Sequence, residues 1–152
     1  KDGLTPLTEW LGPSPWFSRM TSLLDDIWKH AAIETPVGLL PATDNEVGGE
    51  LMQSLSRVYW RTRENRYREW VFRLADYFFL HRLPIEQERL GLDDHGCEVI
   101  DGLSEAYFLA SHVDPERRER YREPMYRILD RVLEVGQNEH GLLYDAINPI
   151  PR

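Results

Sequence analysis

The sequence predicts an all-α protein built from tandem helical hairpins. Three observations carry that expectation: an internal repeat, apolar residues at helical spacing, and turn chemistry confined to the segments between. The repeat is visible when Glu50 is laid over Glu98, which pairs GELMQSLSRVYW with CEVIDGLSEAYF and sets Leu55 on Leu103, Ser56 on Ser104 and Tyr59 on Tyr107. A second block follows each copy, with Tyr67 on Tyr121, Arg73 on Arg127 and Asp76 on Asp130. A partial third copy begins at Trp16, where MTSLLDDIW sets Leu23 on Leu74 and Asp25 on Asp76. A period of about 48 to 54 residues is that of a two-helix unit.

In chain order, residues 1–15 are rich in turn formers (Gly3, Pro6, Gly12, Pro13, Pro15) around a short apolar LTEWL and read as an ordered lead-in. Ser14-Pro15 predicts a helix start, with Ser as cap and Pro at the first helical position, where its missing N–H costs nothing. Met20, Leu23, Leu24, Ile27 and Trp28 then hold helical spacing to about residue 32. GLLPATDNEVGG is a loop, and the next helix starts either at the capping-box spacing of Thr43 and Glu46 or, if the glycine pair delays it, at Glu50. That helix runs to about 61 with Leu51, Met52, Leu55, Val58 and Tyr59 inward, and a second stripe of Glu50, Gln53, Ser54 and Arg57. A short link at Glu64-Asn65 leads to an aromatic-rich helix with Tyr67, Trp70, Val71, Leu74 and Phe78 on one face.

Pro84 and Gly91 bracket a second long loop, followed by a helix from about 96 to 111 that buries Val99, Ile100, Leu103, Ala106 and Tyr107. Asp114-Pro115-Glu116 restarts a helix with an acidic cap. Pro124 removes a backbone hydrogen bond and is expected to kink or split that helix. Past Gly136, GLLYDAINP echoes the loop at Gly38. Short links follow the Glu50 and Glu98 helices and long ones precede them, so the long loops are expected at one end of the array, where binding sites usually form.

Composition narrows the function. Hydrophobic residues at 41% and charged residues at 29% describe a folded globular chain rather than a disordered one. A net charge of -8 argues against a nucleic-acid partner, because phosphates require a basic face. No apolar run is long enough to cross a bilayer, so no membrane partner is expected. The single cysteine, Cys97, has no partner for an internal disulfide. A start at Lys1 without methionine predicts a processed chain or a piece of a longer one.

Hairpins of about 50 residues, joined by long loops carrying GLLP-like, DNE and DHG motifs, resemble the six-hairpin glycosidase superfamily, whose fold is an (α/α)6 toroid with its substrate cleft where the inner helices begin. The resemblance implies that the Glu50 and Glu98 helices are inner ones, and that those starting at Trp16, Tyr67 and Pro115 are outer. It implies a carbohydrate partner, hydrolase-like chemistry and no cofactor. Residues 1–152 then form one incomplete toroid of fewer than three hairpins, whose open ends are covered by the remainder of a longer chain or by a homo-oligomer. The other expectation is a non-catalytic helical-repeat module that binds a protein.

Glu50 and Glu98 open neighbouring helices. Helices pack roughly 8 to 10 Å apart, which places two such carboxylates near the roughly 6.5 to 9.5 Å used in inverting glycoside hydrolysis. Acids at those positions also complement the helix dipole. Asp94 and His95, one turn before Glu98, make an acid–histidine pair suited to proton transfer. Asp93 beside them, Asp44, Asn45 and Glu46 in the matching loop, and Tyr144 and Asp145 in the third supply candidate sugar-binding groups, although such residues also cap helices and make Asx-turns. His95, Cys97 and Glu98 are metal-type donors, but neighbours on a helix point apart and no second His/Cys group completes a set, so no metal is expected.

Overall fold

The computed structural model describes residues 1–150. Among them, six helices follow in order: α1 (Leu4–Leu11), α2 (Pro15–Lys29), α3 (Asn45–Thr62), α4 (Asn65–Leu80), α5 (Glu98–Val113) and α6 (Pro115–Val135). They form three hairpins in a row. α3 packs on α5, α4 backs α3, and α6 backs α5, while α4 also reaches α5 and α6. Two layers result, with α3 and α5 in one and α4 and α6 in the other. α2 extends the second layer, where Trp28 and Trp70 stack at 4.9 Å.

The repeat reappears as a repeated joint. The Tyr67 hydroxyl donates to Asp25 at 3.5 Å, and one unit later the Tyr121 hydroxyl donates to Asp76 at 2.7 Å. Arginine accompanies each tyrosine: Arg66 lies 3.2 Å from Asp25 and Arg117 lies 3.5 Å from Asp76. Burial of Tyr67, Phe72, Phe78, Leu55, Leu103 and Tyr121 makes the core between the layers. Each such side chain contributes roughly 1.5 to 3 kcal/mol.

The layer of α3 and α5 is held by backbone proximity. A Cβ on Gly49 would stand 2.1 Å from the Glu98 carbonyl oxygen, and one on Gly102 would stand 2.8 Å from the Gly49 Cα. Only glycine permits that approach.

Several expectations are corrected. The lead-in is a helix, α1, which pairs with α2 by burying Thr5 and Thr8 against the Met20 sulfur; Pro6 is accommodated because it lies in the first turn. Ser14 precedes α2, but its side chain makes no capping bond. Asp44 rather than Thr43 caps α3, accepting from the Val47 N–H at 2.8 Å, so the glycine pair lies inside the helix instead of delaying it. α6 is not split at Pro124 but runs unbroken for 21 residues, because one missing hydrogen bond is outweighed by the intact turns on either side. The Asp114 cap is present, accepting from the Arg117 N–H at 3.0 Å.

The loops contain short ribbons: β1 (Ile33–Thr35) pairs antiparallel with β2 (Gly38–Leu40), and β3 (Leu90–Gly91) with β4 (Ala146–Ile147). Only Arg63 and Glu64 separate α3 from α4, and Asp114 alone separates α5 from α6. The three long connections touch one another at the other end. Arg82 donates to the Thr43 carbonyl at 2.8 Å, and the Leu92 N–H donates to the Asp145 carbonyl at 2.8 Å.

Candidate functional site

The close approach of α3 to α5 determines what stands at their N-terminal ends. Gly49 abuts the Glu98 backbone, so Glu50 and Glu98 are brought together, and the loop before α5 adds His95. One donor atom from each of Glu50, His95 and Glu98 lies within 4.8 Å of the others. The expected separation for Glu50 and Glu98 was wider, and the glycine contact is the reason it closes.

Glu98 is almost wholly buried and fully engaged. Lys1 pairs with one of its oxygens and Gln53 donates to the other at 2.7 Å. Both oxygens of this buried carboxylate are therefore satisfied. Glu50 is half-buried and His95 exposed, so these two are the solvent-accessible members of the cluster. His95 Nδ1 lies 3.5 Å from Glu46, and its Nε2 lies 3.8 Å from the well-exposed Asp94. The cluster offers three donors to a cation, but Glu98 is already committed to Lys1 and Gln53.

Below the cluster, a cleft of about 580 Å³ runs between α3 and α5, lined by Gln53, Arg57, Asp101, Ser104, Glu105 and Phe108. These residues continue the two glutamates along their helices at spacings of three or four, so they share the same face. Burial, and then the neighbouring Glu98, push the Asp101 carboxyl above the usual carboxylate range. Burial, then Asp101 and Glu98, also push the Cys97 thiol up, which leaves it a poor nucleophile.

The other sequence-predicted residues are placed less centrally. Asp44 is committed to its cap, and Asn45 to Gln87 and Arg82 at 3.2 and 3.3 Å. Asp93 uses its carbonyl to start the turn into α5, accepting from Gly96 and Cys97. The Asp145 carbonyl accepts from Leu92 and Asp93, and the Tyr144 N–H donates to Gly136, so this pair braces the rim while the Tyr144 ring stays exposed. Trp60 packs edge-on to Phe108 and His112.

Sequence reasoning missed Lys1, Asp101, Ser104 and Glu105. For Asp101 and Glu105 a signal existed, since the stripe of Gln53 and Arg57 after Glu50 has its repeat equivalent in them after Glu98. Lys1 had none, because its contact spans 97 residues. Against known proteins, no family, no curated protein and no solved structure matches this chain.

Proposed function

We propose that the cleft between α3 and α5 binds a carbohydrate and that the protein is glycoside hydrolase-like, as part of an (α/α)-toroid architecture. The observation that carries this reading is the gathering of Glu50, His95 and Glu98 within 4.8 Å, one helical turn from a carboxylate-lined cleft. A sugar needs many directional polar partners, and the cleft supplies an amide, a guanidinium, a hydroxyl and two carboxylates along one face.

Glu50 is the base. It takes a proton from the water that attacks the anomeric carbon, with His95 beside it to share the charge. Asp101, whose carboxyl keeps its proton to higher pH than an ordinary aspartate, is the acid that protonates the departing glycosidic oxygen. Glu98 is too buried to touch substrate and acts as a positioning residue, fixing Gln53 and Lys1 beside the reacting groups.

The test is reducing-end release from a panel of neutral and acidic oligosaccharides, with binding read by calorimetry. Glu50→Gln and Asp101→Asn should lower turnover by roughly 100-fold or more with binding retained, whereas Arg57→Ala should weaken binding. Unchanged turnover in both carboxylate variants, or no binding by any oligosaccharide of the panel, overturns the reading.

A further inference from the structure

The Tyr–Asp joint occurs between the first and second hairpins and again between the second and third, and the third hairpin carries its own copy of the accepting side. On α4 that side is Phe72, Ala75, Asp76 and Phe79, whose apolar members are at most 4% exposed because α6 covers them. The register-equivalent residues on α6 are Tyr126, Leu129, Asp130 and Leu133. Tyr126 is 55% exposed, Leu129 38% and Leu133 64%. Asp130 is exposed, has no side-chain hydrogen-bond partner among the described residues, and borders a groove of about 480 Å³ lined partly by Ile85, Pro149 and Ile150.

The donating side is also left over, at the opposite end of the array. Tyr67, Leu74 and Phe78 of α4 are fully buried, while their equivalents on α2, Trp16, Leu23 and Ile27, are 53%, 38% and 43% exposed. Trp16 stands where α4 and α6 carry tyrosine, and its indole N–H is a donor of the kind Asp130 would accept. One chain therefore presents both halves of a joint that it makes twice internally.

We propose that these two faces meet between copies: α2 of one copy docks on α6 of the next, head to tail, with the Trp16 N–H donating to Asp130 and its ring covering Leu133, as Tyr121 donates to Asp76 and stacks on Phe79. The contact is heterologous, so each copy uses one face as giver and the other as receiver. Pro15 replaces the arginine that precedes the tyrosine in Arg66-Tyr67 and Arg120-Tyr121, so this joint lacks a countercharge and is weaker than the internal ones. The inference does not depend on the glycan reading, since it uses the helix faces away from the cleft.

Sedimentation equilibrium over a concentration series tests it. The wild type should gain mass with concentration. Trp16→Glu alone and Leu133→Glu alone should each stay monomeric, with wild-type circular dichroism because both positions are exposed. An equimolar mixture of the two variants should form a dimer, since one retains the receiving face and the other the giving face. A wild type that remains monomeric throughout, a dimer that survives either substitution, or a mixture that stays monomeric overturns the proposal.

Discussion

Replacing Gly49 by alanine separates two opposed effects whose sign the structure decides. An exposed helical glycine gains about 1 kcal/mol on becoming alanine, from propensity alone. At Gly49 the new Cβ would lie 2.1 Å from the Glu98 oxygen, 2.2 Å from its carbonyl carbon and 2.5 Å from the Val99 nitrogen, against 3.4 to 4 Å for ordinary contact. All three are backbone atoms, so no rotamer change relieves the clash and α5 must retreat by about 1 Å or more. A gap of that size forfeits a quarter to a half of the dispersion at each separated contact. Overpacking of this kind reaches about 3 kcal/mol, so the net loss is about 2 kcal/mol or more. For a chain of this size that lowers the melting temperature by about 4 to 8 °C. Urea unfolding followed by circular dichroism measures it, with Gly3→Ala as control, since nothing stands within 4 Å of a Cβ there. Gly102 faces Gly49 directly, so the double variant should cost less than the two singles added. An unchanged or raised midpoint for Gly49→Ala refutes the argument that backbone contact sets the spacing of α3 and α5.

Tyr121→Phe should cost about 1.5 to 3 kcal/mol, the range for a hydrogen bond to a charged group, whereas Tyr67→Phe should cost less because its bond to Asp25 is long at 3.5 Å and its other partner, Arg66 at 2.8 Å, is 45% exposed and screened by water; equal losses in urea unfolding contradict the geometry. Burial, and then Asp76, raise the Tyr121 hydroxyl pKa. A raised folded pKa means that stability is complete below the free tyrosine value of about 10 and falls as pH climbs above it. Wild-type stability should therefore drop above that pH and Tyr121→Phe should show a shallower drop. Asp101 also has a raised folded pKa, so its contribution is present below about pH 4 and is lost as pH rises toward neutrality. Asp101→Asn should then match or exceed the wild-type midpoint at pH 7 and lose that advantage at pH 4. Asp114→Ala removes the cap of α6 and should cost about 1 kcal/mol in thermal unfolding, against no loss if the cap is idle.

The helices and their pairing were legible because each unit writes its core twice: Leu55 and Leu103, Tyr67 and Tyr121 recur in register and all are buried. The first hairpin was harder. α1 has Gly3 and Pro6 at its start and buries two threonines rather than an apolar stripe, so neither periodicity nor punctuation announces it. The ribbons are two or three residues long, below the length at which alternation can be read.

The repeated glutamates pointed to two residues that α3 and α5 bring together with His95. Gly48-Gly49 left the start of α3 open between Thr43 and Glu50, because a close helix contact and a turn use the same residue for different reasons: absence of a Cβ in one case, backbone freedom in the other. The loop residues Asp44 and Asn45 matched a sugar-binding composition, but capping and bracing the rim engaged them first. The pairing of Lys1 with Glu98 joins the two ends of a long stretch of chain and leaves no local trace in the sequence.

The most direct measurement is an amide chemical-shift titration of the chain with oligosaccharides. Shifts concentrated at Glu50, Gln53, Arg57, His95 and Asp101, and abolished by Gly49→Ala, are the predicted result. Saturable shifts confined to other surfaces, or none with any sugar, would contradict a carbohydrate site built by the meeting of α3 and α5.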